Sequence, residues 1–132
     1  MRTYIARIKA VNPHVNALID DRFEDAINEA IEVDKRVEYE LKNNQPMEGY
    51  NGISIADQES LPFLGVPFTI KDSIAGKGLA YTSGSVLRKN IKADEDAECV
   101  ASMRKAGGIP VGITNVPEML FWINADNKAF GR

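Results

Sequence analysis

Lys71 carries the clearest chemical signal in the sequence, because it directly follows an apolar, partly β-branched stretch at residues 66–70. This stretch predicts a short buried strand that is entered through a proline. A lysine at the exit of a buried strand loses solvation, which favours its neutral form. A neutral amine is a general base, the group that activates serine in Ser-Lys hydrolases. The alternative interpretation is a lysine whose side chain extends from the strand end into solvent.

Two serines, Ser83 and Ser85, follow Lys71 closely enough to be considered as nucleophiles. The residues around Gly84 favour a turn-rich loop instead, because glycine supports positive φ and serine forms local hydrogen bonds. We therefore do not predict a lysine–serine pair within this stretch. Asp72 could hold the lysine charged, but adjacent strand residues point to opposite faces, so we predict that Asp72 caps the following turn.

Four further side chains could take part in a reaction, but each is interpreted as structural. Ser102 and Lys105 have the Ser-x-x-Lys spacing of penicillin-recognising enzymes, but the sequence contains no matching Lys-Thr-Gly or Ser-Asp-Asn element. His14 is the single histidine and is predicted at the surface. Cys99 is the single cysteine and is predicted as a small core residue of a helix. One histidine and one cysteine support neither a zinc site nor an internal disulfide.

The composition favours a folded, water-soluble globular chain. Of the 132 residues, 44% are hydrophobic and 27% are charged, and the net charge is −3. Basic and acidic residues are interspersed, which argues against a nucleic-acid partner because such a partner selects a basic stripe. No apolar stretch approaches the roughly 18 residues of a membrane span, and the first residues lack an apolar signal core. No metal or organic cofactor is predicted.

The residue pattern divides the chain into three segments: a helical segment at residues 1–42, a polar loop at 43–61 and a strand–helix–strand unit at 62–132. Asn12 and Pro13 are expected to end the first helix. The strand–helix–strand order predicts two parallel strands joined by a right-handed crossover. Helices are predicted at residues 2–11, after Asp20 or Asp21, at 94–106 and at 116–124, and strands at 15–19, 66–70 and 109–114. Asn115, with Glu118 three residues later, is predicted to cap the last of these helices. The apolar face of the second helix is predicted to comprise Phe23, Ile27, Ala30, Ile31, Val37 and Leu41.

The apolar stretch at residues 119–123, Met-Leu-Phe-Trp-Ile, has two open interpretations. It is either a helix buried in a larger core or the wall of a pocket for an acyl chain. An apolar helix alone does not distinguish a fatty chain from a neighbouring helix.

Five ordered blocks resemble the amidase-signature family, close to its fatty-acid amide hydrolase type. They follow the stretch at residues 65–72 (GVPFTIKD) and are residues 82–85 (TSGS), 96–100 (DAECV), 106–112 (AGGIPVG), 114–118 (TNVPE) and 127–132 (NKAFGR). Residues 12–17 and 20–23 resemble the start of that family's domain. The resemblance covers nearly the whole chain and leaves only the linker around residues 43–60 without a distinctive match.

The resemblance implies an α/β fold with a mixed, largely parallel sheet wrapped by helices, of which this chain is the N-terminal part. Lys71 falls at the family's catalytic lysine. The family's two catalytic serines follow in a Gly/Ser-rich segment and have no counterpart among residues 1–132. The implied activity is hydrolysis of fatty-acid or other hydrophobic amides, with a small-molecule amide as substrate. Two alternatives stay open: a truncated, non-catalytic binding product, and a transamidase-type subunit of a larger complex.

Overall fold

A computed structural model describes residues 1–57 and 59–132 and arranges them in three layers. A small central sheet has α1 and α2 on one face and α3 on the other, because these helices pack on opposite core clusters. Two single 3₁₀ turns, Val86–Arg88 and Glu118–Leu120, interrupt the loops. The elements are α1 (Arg2–Val15), β1 (Leu18–Asp21), α2 (Phe23–Asn43), β2 (Pro67–Lys71), α3 (Glu98–Lys105) and β3 (Ile109–Thr114).

The sheet has the strand order β1-β3-β2 and is mixed. Strands β2 and β3 are parallel, with Ile70 opposite Ile113 and Lys71 opposite Thr114. This parallel pair confirms the predicted strand–helix–strand unit. Strand β1 pairs antiparallel with the other side of β3.

A register shift in the sheet decides which face each residue of β3 covers. Phe68 lies opposite Pro110 but Thr69 lies opposite Gly112, so Val111 is the extra residue of a bulge. Ile113 therefore packs with Ile70 beneath α3, whereas Val111 packs on the α2 face. The α3-side cluster comprises Ile70, Leu79, Val100 and Ile113, and the α2-side cluster comprises Ala26, Ile109 and Val111.

The N-terminal prediction was wrong in its boundaries. Helix α1 continues through Pro13 to Val15, and β1 begins at Leu18, three residues later than expected. A proline removes one helical hydrogen bond, in this case to the carbonyl group of Lys9. Lys9 and Pro13 are both exposed, so water can solvate the freed carbonyl. The helix ends where Asn16 adopts the left-handed conformation, with φ 44°.

The predicted helix at residues 116–124 is absent from the described structure, which has only the turn Glu118–Leu120 there. Asn115 was predicted to cap that helix, but its side-chain oxygen accepts hydrogen bonds from Val116 N and from Asn127 Nδ2. Met119 and Leu120 both have positive φ, 50° and 66°, which right-handed helix geometry excludes. A short helix without a buried face is marginal in water, so the hydrogen bond between Asn115 and Asn127 prevails.

Two predicted core positions were also wrong. Leu41 is exposed near the end of α2, and Ala26 contributes to the core from the same helix instead. Cys99 is exposed on α3, whose buried position is the next residue, Val100. In the described part of the chain, no helix combines the length and apolar character that a bilayer crossing requires.

Candidate active site

Lys71 is the last residue of β2 and lies at the edge of the sheet. Its side chain is exposed, and among the described residues β2 pairs only with β3. The loss of solvation expected at a buried strand end is therefore not found among the described residues. None of the salt bridges within residues 1–57 and 59–132 includes Lys71. Its role as a general base stays a prediction.

Asp72, the next residue, is completely buried. Its carboxylate accepts hydrogen bonds from Thr82 N at 2.7 Å and from Gly84 N at 2.9 Å. The Thr82 hydroxyl donates to the same carboxylate. The predicted capping role thus falls on a turn ten to twelve residues later, rather than on the turn that directly follows β2. Sequence reasoning missed this pairing because it links positions that no local pattern connects.

The turn that Asp72 holds spans residues 82–85. Ser83 and Gly84 have positive φ, 52° and 68°, and Ser85 N donates to Thr82 O at 3.1 Å. A Cβ atom on Gly84 would lie 2.9 Å from the carbonyl oxygen of Val116, so only glycine fits without displacing the neighbouring chain. The predicted turn-rich loop is confirmed.

Neither serine of this turn is paired with the lysine. No hydrogen bond between Lys71 and Ser83 or Ser85 is found in the part of the chain that the structure describes. Ser83 instead uses its backbone, donating to Asp72 O at 2.9 Å and accepting from Met119 N at 2.7 Å. The turn therefore bridges the end of β2 and the strained residues after β3.

The apolar stretch at residues 119–123 is largely exposed. The exposed fractions are 86% for Phe121, 71% for Trp122 and 97% for Ile123. Within the described residues, these side chains are thus not part of a core. The stretch is nevertheless held at its first residue, because Met119 N donates to Ser83 O.

Two buried asparagines, Asn115 and Asn127, form hydrogen bonds on either side of the apolar stretch in the sequence. Asn127 Nδ2 donates to Asn115 Oδ1 and to Val116 O, both at 2.7 Å. Asn115 Nδ2 donates to Gly131 O at 3.1 Å. Asn127 belongs to the block at residues 127–132, but its hydrogen bonds to Asn115 and Val116 were not predicted from the sequence. The remaining candidates, His14, Cys99, Ser102 and Lys105, are all exposed.

Comparison with known proteins finds a match to the family model described as Amidase over residues 1–132. The chain is 37% identical over 131 residues to fatty-acid amide hydrolase 2-A of Danio rerio. This alignment covers 99% of the chain and 23% of the relative. The chain is also 40% identical over 83 residues to a component of the glutamyl-tRNA(Gln) amidotransferase of Treponema pallidum strain Nichols, covering 63% of the chain and 16% of that component.

Among solved structures, the chain resembles 6-aminohexanoate cyclic dimer hydrolase complexed with substrate. The TM-score is 0.70 at 32% sequence identity, and the match covers 98% of the chain and 22% of that structure. The mixed sheet and its helices therefore match one segment of a much longer fold. The chain spans between about a sixth and a quarter of the length of these relatives.

Proposed function

The chain belongs to the Amidase family, and on that premise we propose that it contributes Lys71 as the general base of an amide hydrolase. The position of Lys71 carries this proposal. It stands at the carboxyl end of a parallel strand, where the ligands of α/β sheets bind. Its side chain is accessible there, while the next residue, Asp72, is fixed by three hydrogen bonds.

The proposed reaction is a Ser-Ser-Lys relay whose two serines lie outside residues 1–132. Lys71 Nζ accepts a proton from the bridging serine. The bridging serine in turn accepts a proton from the nucleophilic serine, whose oxygen attacks the amide carbonyl carbon. The C–N bond breaks, the amine leaves with the returned proton, and water hydrolyses the resulting acyl-enzyme to the acid. The negative oxygen that forms during attack requires backbone N–H donors.

We further propose a hydrophobic amide as the substrate class. Its support is the exposed apolar stretch at residues 119–123, which starts from a hydrogen bond to Ser83 next to the end of β2. Large exposed apolar patches mark surfaces that receive an apolar partner. The likeness to a fatty-acid amide hydrolase favours the same class.

A role as the amidase component of a transamidase complex is the second candidate function. The observation that favours it is the 40% identity over 83 residues to a component of an amidotransferase. A hydrolase passes the acyl group to water and works alone, whereas a transamidase delivers ammonia to a partner enzyme. Activity of the purified protein on a long-chain amide without any added partner separates the two.

The first experiment determines the coding sequence that follows Arg132. A Gly/Ser-rich segment with two serines supports the relay, and a stop codon in its place overturns it in favour of a non-catalytic product. The second experiment measures hydrolysis of a long-chain amide by the full-length product and by its Lys71→Ala variant. Loss of the base is expected to lower kcat about 10²- to 10⁴-fold. Lys77→Ala, which removes another exposed lysine, is the matched control, and wild-type turnover by Lys71→Ala contradicts the assignment.

A further inference from the structure

The buried carboxylate of Asp72 has no role in the relay described above, although it lies directly beside the proposed base. We propose that Asp72 is a positioning residue that fixes the direction in which Lys71 leaves the sheet. This inference rests on the proposed role of Lys71 as a general base. It adds a second residue of this chain on which the rate of proton transfer depends.

The backbone of Asp72 is held on both sides. Its N–H donates to Thr114 O at 3.2 Å, which continues the β2–β3 ladder one residue beyond Lys71. Its carbonyl oxygen accepts from Ser83 N at 2.9 Å. The peptide unit before the Asp72 Cα atom is thus bonded to β3, and the peptide unit after it is bonded to the turn at residues 82–85.

The side chain of Asp72 adds three bonds that lead to the same turn. Both carboxylate oxygens are used, Oδ1 by Thr82 N and Oδ2 by the Thr82 hydroxyl and Gly84 N. The residue has no solvent exposure, so these donors replace the water that an ionised carboxylate requires. Hydrogen bonds to a charged acceptor are roughly twice as strong as neutral ones.

These bonds matter for Lys71 because β2 is an edge strand. On the side away from β3, the described chain offers β2 no neighbouring strand. The end of such a strand opens more readily than a central one. The lysine side chain has four flexible carbons, and the direction of its Cα–Cβ bond limits the region that the amine can reach. Movement of the strand end therefore moves the amine. A displacement of about 1 Å in a reacting group can cost about 10²-fold in rate.

The test replaces Asp72 with asparagine in the full-length enzyme. Asparagine keeps one acceptor oxygen, but its NH₂ group faces N–H or O–H donors and cannot accept from them. The variant therefore loses hydrogen bonds between residue 72 and the turn at residues 82–85. Active sites are counted with a fluorophosphonate probe, and kcat is calculated per labelled site. We expect kcat per site to fall about 10²-fold with KM nearly unchanged, because the base acts in the transition state.

The matched control is Asp96→Asn. Asp96 also accepts a backbone hydrogen bond, from Lys77 N at 2.7 Å, but at the opposite end of the loop. We expect Asp96→Asn to give fewer labelled sites at an unchanged kcat per site. A purely structural role of Asp72 predicts the same result for Asp72→Asn. That result for Asp72→Asn overturns the positioning role.

Thr82→Val is the second variant, because it removes one donor to Asp72 without a change in charge. We expect an intermediate loss of kcat per site, and no additional loss when it is combined with Asp72→Asn. Additive losses, or an unchanged kcat per site for Thr82→Val, overturn the inference.

If Asp72→Asn gives no labelled protein, the kcat per site of Thr82→Val alone tests the positioning role. Normal activity of Lys71→Ala overturns the proposed function itself, whereas an inactive Lys71→Ala beside a fully active Asp72→Asn overturns only the positioning role.

Discussion

Arg36 and Glu40 form a buried ion pair one turn apart in α2, with Arg36 Nε donating to Glu40 Oε1 at 2.8 Å. Their side chains are 5% and 3% exposed. The pair also holds the loop that follows the helix. Glu40 Oε2 accepts from Ile55 N at 2.8 Å and from the Ser54 hydroxyl at 3.0 Å, and the Arg36 guanidinium donates to Ile53 O. The predicted loop therefore has a defined attachment to α2 through residues 53–55.

The first prediction concerns the pH dependence of stability. Burial alone would raise the pKa of Glu40, but the hydrogen bonds from Arg36, the loop backbone and Ser54 outweigh it. They lower the pKa of Glu40 from 4.5 to about 2. A carboxyl group with a lowered folded-state pKa stabilises the fold above its unfolded-state pKa. We expect this contribution to be complete above pH 4.5 and to be lost as the pH falls towards 2.

Glu40→Gln tests this linkage through the urea midpoint measured by circular dichroism. The variant leaves the Arg36 charge buried without a counter-ion, which is expected to cost about 3 kcal/mol at neutral pH. The difference from wild type should shrink as the pH falls from 4.5 towards 2. Glu38→Gln, at an exposed position of the same helix, should stay within about 0.5 kcal/mol. A constant difference at all pH values would contradict the lowered pKa.

The second prediction concerns the close approach of β1 to β3 at Gly112. A Cβ atom there would overlap the carbonyl oxygen of Asp20 and lie 2.9 Å from Leu18 Cδ2. The Asp20 carbonyl oxygen is part of the backbone of β1 and cannot rotate away as a flexible side chain can. Gly112→Ala therefore requires β1 as a whole to move away from β3. We expect a loss of about 3 kcal/mol in the free energy of unfolding.

Gly78→Ala is the control for Gly112→Ala. Gly78 has φ +77° but nothing within 4 Å of an added Cβ. It should therefore show only the cost of an unfavourable φ, about 1 kcal/mol. Equal losses for both variants would show that overlap with β1 is not the cause.

The fold was predictable where local pattern and tertiary structure agree. Strands β2 and β3 are short apolar stretches bounded by proline, glycine and charge, and helix α3 has basic residues in its last turn before a glycine pair. These signals need no long-range information. The prediction of a helix at residues 116–124 failed because a distant contact decides the outcome there. At Asn115, a hydrogen bond from Asn127 replaced the expected helix cap.

The candidate site follows the same division. Lys71 was recognisable because its position depends on the strand that precedes it. The bonds of Asp72 were not, because Thr82 and Gly84 reach it across a loop. Asp72 is followed ten residues later by Thr-Ser-Gly, and positive φ at Ser83 and Gly84 is what directs two N–H groups to one carboxylate. That geometry cannot be read from residue types alone.

The third prediction concerns the thiol of Cys99. Cys99 is exposed on α3, whereas its neighbour Val100 is 3% exposed and packs with Ile70 and Ile113. A thiol reagent should therefore label the folded chain without denaturant. Cys99→Ser should change the free energy of unfolding by less than about 0.5 kcal/mol. Val100→Ala should cost about 2 kcal/mol, because it removes buried methyl groups from the α3-side cluster. Labelling that requires denaturant would contradict the exposed position.

The last prediction concerns the apolar surface of the 132-residue chain expressed alone. Phe121, Trp122, Ile123 and Leu87 are each at least 71% exposed, and each forfeits roughly 1.5–3 kcal/mol of burial energy. Exposed apolar surface binds hydrophobic dyes and promotes association. We expect dye fluorescence or aggregation, and a marked decrease of both in the Phe121→Gln/Ile123→Gln double variant.

The control for that double variant is Asp126→Asn/Lys128→Gln, which changes two exposed polar residues close by. It should leave dye binding at the wild-type level. Because the apolar side chains contribute little to the described core, their removal should leave the circular dichroism spectrum unchanged. A sharp, reversible melt of a monomer without dye binding would show that these side chains are covered within the chain itself, and would favour a self-sufficient binding module over one segment of a larger amidase fold.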